Sequence, residues 1–171
     1  MAEIKLKQND KVVYPTHGVG TVVGIEAQAI AGTEVKLVAV MFEKDKMTLR
    51  IPLIRAEQSG LRKLSSQSEL DKVRSTLKGR AKTSRGMWSR RAKEYESKIN
   101  SGNIVSLAEV VRDLHKNVDD PDRSYSERVI YENALNRLAG EFAAVENIDL
   151  IQATTKLVKT MKVTGSVAAA A

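Results

Sequence analysis

The sequence predicts an α+β protein. A small antiparallel β domain is expected over residues 1–62, an all-α domain of about five helices over residues 63–163, and a short disordered tail over residues 164–171. Three observations predict this. Residues 10–52 are rich in β-branched side chains and are punctuated by glycines at 18, 20, 24 and 32, the composition of short strands joined by tight turns. From Ser66 onward, apolar residues recur at intervals of three and four, the period of an amphipathic helix. Two stretches, Ser66-Gln67-Ser68-Glu69 and Ser124-Tyr125-Ser126-Glu127, match the capping box, in which a hydroxyl and a carboxylate satisfy the first free N–H groups of a helix.

In the front half, Val12, Val13, Val19, Val22, Val23 and Ile25 supply the first strands, and the run from Lys36 to Phe42 is apolar enough for a strand buried on at least one face. Thr48-Leu49-Arg50-Ile51 alternates, so Leu49 and Ile51 face one way and Thr48 and Arg50 the other. Pro52 ends that strand or places it at a sheet edge. Glycines 18, 20 and 24 are expected at bulges or close turns.

The back half carries five apolar stripes. Leu70, Val73 and Leu77 make a short helix stopped by Gly79. Trp88, Ala92, Tyr95 and Ile99 share one face, and Ser101-Gly102 ends that helix. Leu107, Val110, Val111 and Leu114 make the third. Tyr125, Val129, Ala134, Leu135, Leu138, Phe142 and Val145 make the longest, and residues 148–161 the last. Between the third and fourth, Asp119-Asp120-Pro121-Asp122 breaks the helix.

Composition narrows the function. With no cysteine, disulfides and thiolate metal sites are excluded, and the two histidines, His17 and His115, lack metal-ligand spacing. No long apolar run predicts a transmembrane helix. Charges in the opening residues occupy the place of a signal-peptide apolar core, so a cytoplasmic location is expected. No Gly-rich phosphate loop, paired-histidine motif or serine elbow is present. The chain therefore reads as a binder rather than an enzyme, with no cofactor and no small-molecule substrate.

Charge says what it binds. Residues 62–93 hold eleven Lys/Arg and two acids, net +9, whereas residues 1–61 are net +1 and residues 94–171 net −3. Like charges one helical turn apart repel, so a concentration of this kind fits a polyanion partner. The chain's one tryptophan, Trp88, lies inside the stretch. Periodicity assigns Trp88 to the core with Tyr95 and Ile99. Its place in a first helical turn, flanked by Arg85, Arg90, Arg91 and Lys93, fits a ring that enters a minor groove beside phosphate clamps. A general nucleic-acid-binding module and a protein-only adaptor are the rival classes. The first calls for exposed aromatics on the β domain, where only Tyr14 and Phe42 lie between residues 10 and 52.

Five motifs occur together: Val12-Val13-Tyr14-Pro15-Thr16-His17-Gly18, Thr48-Leu49-Arg50-Ile51-Pro52, Trp88-Ser89-Arg90-Arg91-Ala92-Lys93, Ser101-Gly102 and Ala108-Glu109-Val110-Val111-Arg112-Asp113-Leu114. In order and spacing they resemble the CarD/CdnL family of bacterial transcription regulators over about residues 9 to 162. The resemblance implies a Tudor-like β domain, shared with transcription-repair coupling factor, that binds the RNA polymerase β subunit. It also implies a helical domain that touches promoter DNA at the upstream edge of the transcription bubble. The partners it implies are thus promoter DNA and a holoenzyme carrying the housekeeping sigma factor, with nucleoid association through the polymerase. The family's minor-groove tryptophan falls on Trp88, its phosphate contacts on Arg85, Arg90, Arg91 and Lys93, and its polymerase-facing arginine on Arg50, in the strand of Thr48, Leu49 and Ile51. The resemblance places Thr48, Leu49, Ile51 and Gln28 with Arg50 in the polymerase-binding set; Gln28 stands where some relatives carry an arginine, and a glutamine cannot form their second ion pair.

Overall fold

The computed structural model describes residues 5–82 and 86–170, with side chains as far as Met161. The chain divides into two compact units, residues 1–64 and 65–171.

The first unit is a five-stranded antiparallel sheet in the order β4-β3-β2-β1-β5. Its strands are β1 (Lys11–Tyr14), β2 (Gly18–Ile30), β3 (Thr33–Phe42), β4 (Met47–Pro52) and β5 (Arg62–Lys63), with a single helical turn α1 (Leu53–Ala56) between the last two. The β2–β3 hairpin closes through Ala31 and Gly32, at φ 52° and 78°. Two central residues with positive φ make the turn whose twist matches that of the paired strands. Beyond the end of β4, residues 27–36 continue as a two-stranded ribbon. Val12, Val22, Val38, Val40, Phe42 and Ile51 form the core of the unit.

Two features depart from the sequence expectation. β5 was not foreseen; it pairs Arg62 with Val13 and Lys63 with Val12, drawing the start of the cationic stretch into the sheet. The glycines also divide their labour differently. The register breaks between Val22 and Gly24, whereas Gly20 sits in regular register opposite Val12. A Cβ at Gly20 would lie 2.5 Å from Val40 Cγ1 and 2.8 Å from Phe42 Cε1, so glycine is required there by close packing.

The second unit contains α2 (Gln67–Lys78), α3 (Trp88–Asn100), α4 (Ile104–His115), α5 (Tyr125–Glu146) and α6 (Leu150–Ala170). Both capping boxes form at the hydroxyl end: Ser66 Oγ accepts from Glu69 N–H and Ser124 Oγ from Glu127 N–H. Asn103 caps α4 through Val105 and Ser106 N–H. Asn147 ends α5 in the left-handed region, at φ 55°. The α6 backbone is helical to Ala170, across residues 164–170 of the stretch expected to be a disordered tail; their side chains lie outside the described residues.

The expected stripe on α5 is only partly the buried one. Tyr125 and Val129 are exposed, and the interior face is instead Glu127, Ile130, Tyr131, Ala134, Leu138 and Phe142. Two carboxylates inside the unit explain part of this shift, because each is a ligand to chain elsewhere. Glu141 accepts from both the N–H and the hydroxyl of Ser65, and Asn117 approaches Glu127. Buried carboxylates with such partners belong to the interior as fully as the leucines do. Among the described residues no helix is long and apolar enough to cross a membrane.

Candidate functional site

Trp88 is the first residue of α3. Its ring is half-buried: it packs against the helical core from the side of Ala92, and its centroid lies 6.3 Å from that of Tyr95, tilted by 44°. The core expectation is thus met in part: the indole packs against the helical core and remains partly accessible. Spacing makes that possible, since Trp88, Arg91, Ala92 and Tyr95 sit at i, i+3, i+4 and i+7 on one side of the helix.

The cations around it do not behave alike. Arg90 and Lys93 are exposed; among the described residues Arg90 makes a long contact with Glu94, at 3.9 Å and largely in solvent. Arg91 turns inward. Its guanidinium carbon lies 5.5 Å from the Trp88 ring centroid and 6.0 Å from that of Tyr95, and an Nη approaches the Tyr95 hydroxyl at 3.4 Å. Arg85, the other expected phosphate contact, lies outside the described residues.

The N-termini of α2, α4 and α5 are closed by a side-chain oxygen, whereas that of α3, preceded by Met87, has no side-chain cap among the described residues. Arg90 and Arg91 N–H both donate to the Met87 carbonyl, and the positive end of the helix dipole at this start favours an anion. Ahead of α3, Lys72, Lys78, Arg80 and Lys82 are exposed. Arg74 is not part of this field: it pairs with Asp71 and Glu146 and lies over the Phe142 ring at 5.1 Å. Lys98 is likewise engaged, at 2.8 Å from Glu109. That hydrogen bond holds the Glu109 carboxyl below its ordinary value, against a desolvation that opposes it; the fields of Lys98, Arg112 and Lys82 add to the lowering.

The second candidate surface is β4, an edge of the sheet. Alternation is as the sequence requires: Thr48 and Arg50 are exposed, Ile51 is buried and Leu49 half-buried against the core. The apolar pair thus faces the interior, and what these two positions offer a partner is edge backbone. Arg50 lies opposite Ala39, which lies opposite Gly24. These two small residues let the arginine cross β3 and donate from Nε to Glu26 at 3.0 Å. Glu26 reaches this face because the register break after Val22 reverses the alternation of β2. Sequence reasoning missed Glu26; the Val-Val-Gly step before it was the available signal. Gln28 is exposed on the ribbon opposite Val35, past the end of β4 and off the Arg50 row.

Sequence reasoning also missed Asp113, buried on α4, whose Oδ1 accepts from Lys82 N–H and Arg112 Nε, each at 2.9 Å. It fixes the end of the described α2–α3 segment to the core.

Fold and surfaces together define a two-unit α+β binding protein, with a strand edge on one unit and a cationic helix bearing a half-buried indole on the other. The chain belongs to the CarD family: residues 72–158 match the CarD C-terminal domain and residues 6–65 the CarD-like/TRCF RID domain. Membership places it among transcription regulators. YdeB of Bacillus subtilis (strain 168), provisionally named a transcription factor, is 27% identical over 139 residues, which cover 81% of this chain and 91% of that one. The 72-residue N-terminal domain of Myxococcus xanthus CarD, solved in solution, is 32% identical, covering 39% of this chain and 88% of that domain at a TM-score of 0.31.

Proposed function

We propose that this protein regulates transcription by holding promoter DNA open beside RNA polymerase. The β unit docks on the polymerase β subunit through Arg50 and the edge of β4, where a strand of the partner can add to the sheet. The first turn of α3 meets the DNA at the upstream edge of the bubble. Trp88 wedges into the minor groove there, and Arg90 and Lys93, with Arg85, bind the flanking phosphates. The observation that carries this reading is Trp88 itself: a half-buried indole at a helix start with no side-chain cap among the described residues, and with exposed cations close by on the same helix. The match to the CarD-like/TRCF RID domain supports the polymerase contact.

The mechanism is differential binding. A wedge bound more tightly to unstacked than to closed DNA shifts the equilibrium by its preference for the open form, and by no more. A preference of about 1.4 kcal/mol shifts it about tenfold. A general single-strand binder is disfavoured because Phe42 is fully buried and Tyr14 is half-buried, stacked on His17, so the sheet presents no platform for bases.

The test is the lifetime of promoter open complexes with the holoenzyme. Trp88→Ala is expected to shorten it about tenfold while leaving polymerase binding intact. A lifetime equal to that with the parent protein would refute the wedge.

A further inference from the structure

Arg91 stands among the cations of α3, yet its side chain is spent differently from those of Arg90 and Lys93. Its guanidinium covers two aromatic rings, and its Nε is buried with no hydrogen-bond partner among the described residues. An arginine one residue from exposed neighbours could turn outward and hydrate that N–H. Leaving it unmet is unfavourable, so the inward position must be held by something else. Guanidinium over an indole face is the strongest common form of cation–π contact, and desolvation strengthens it. Here the charge lies over Trp88 and Tyr95 together, and the Tyr95 hydroxyl takes one of the remaining donors.

The side chain therefore bridges the variable part of the site to its fixed part. Tyr95 is buried in the helical core. Trp88 is the first residue of α3, and Ala92, one turn further along the same side of the helix, is too small to lock an indole plane. A planar cation resting on both rings removes the freedom that Ala92 leaves.

We propose that Arg91 is a positioning residue for Trp88 and not a phosphate clamp: it presets the indole in one attitude before DNA arrives. Resting on the wedge reading, this adds the device that makes the wedge rigid. Preorganisation of this kind strengthens binding by lowering the ordering cost, without a new contact to the partner.

Two measurements on the full chain decide it. Trp88 is the one tryptophan, so intrinsic fluorescence reports on it alone. In the free protein, Arg91→Met and Arg91→Gln are both expected to raise the acrylamide quenching constant of Trp88 about threefold, the change that loss of one cation–π contact allows. Arg91→Gln, polar but uncharged, decides the matter should Arg91→Met unfold. Unchanged quenching in either folded variant overturns the proposal. The second measurement is the salt dependence of binding to a duplex with a short unpaired bubble. Arg90→Ala is expected to reduce the log–log slope by about 0.9, one phosphate contact. Arg91→Met is expected to weaken binding at every salt concentration and leave the slope as it was. A loss of about 0.9 in the slope of Arg91→Met makes Arg91 a phosphate contact and likewise overturns the proposal. If the parent protein fails to bind the bubble at all, the wedge reading falls, and the quenching measurement still decides whether Arg91 holds the indole.

Discussion

The carboxylate of Asp113 accepts the backbone N–H of Lys82 at 2.9 Å, thirty-one residues away in sequence. The same oxygen accepts from Arg112 Nε, and the arginine side chain is nearly as buried as the aspartate. One anion thus neutralises an interior cation and ties down the segment leading to α3. Removing it strands both donors. Asp113→Ala is expected to cost about 3 kcal/mol, the scale for orphaning one partner of a buried pair, measured by urea denaturation. Amide exchange at Lys82 should accelerate beyond that of the α4 backbone. A loss below about 0.5 kcal/mol would mean that water replaces the carboxylate and that the segment is held otherwise.

Gly20 has a sharper steric signature. Val40 and Phe42, the two side chains that its Cβ would strike, are fully buried. Gly20→Ala is therefore expected to destabilise the β unit by about 1–3 kcal/mol through overpacking. The same change at Gly24, where a Cβ meets nothing within 4 Å, should be nearly neutral. Urea midpoints of the two variants compare them directly, and equal midpoints would show that Phe42 can move aside.

These two sites mark where the sequence could be read and where it could not. Local periodicities were legible. The alternation along Thr48-Leu49-Arg50-Ile51 placed Arg50 outward, and each Ser-x-Ser-Glu stretch placed the start of a helix. What depends on distant chain was not. Asp113 is one aspartate in a helical motif until Lys82 is folded against it. Glu26 becomes the partner of Arg50 only after the register break that follows Val22. A two-residue strand such as β5 is too short to carry a period. A charge count also cannot tell which cations are displayed: Arg74 and Arg91 contribute to the net +9 of residues 62–93, but Arg74 is paired with Asp71 and Glu146 and both guanidiniums are laid on aromatic rings.

Alkaline pH should weaken the helical unit through Tyr131. Burial pushes its phenol up to about 12, although the nearby Arg123 pulls the other way. Its hydroxyl lies 2.7 Å from His115 Nδ1. Because the folded value exceeds the ordinary one of 10, the folded state retains the proton longer than the unfolded chain does. The associated stability is complete below about pH 10 and is lost as pH rises through about 12. A loss of about 2 kcal/mol is expected between pH 9 and 11.5. Tyr131→Phe should remove most of that slope. Parallel pH profiles for the two proteins would place the alkaline transition elsewhere.

Arg50 offers a test in which stability and binding separate. Its pair with Glu26 is about half in solvent at each end, and such pairs contribute roughly 0–1 kcal/mol. Arg50→Glu sets two carboxylates against each other across Ala39, yet it should lower stability by no more than about 1 kcal/mol because water screens them. Association with the polymerase β subunit, if Arg50 faces it, should be lost in that folded protein. Adding Glu26→Arg restores the intramolecular pair with its polarity exchanged. Stability should return while association remains lost, because the partner then meets charges in the reversed order. Pull-down of the polymerase β subunit by the single and double variants reads this out. Recovery of association in the double variant would assign the interface to the shape of the β4 edge, with Arg50 serving only to brace it against β2.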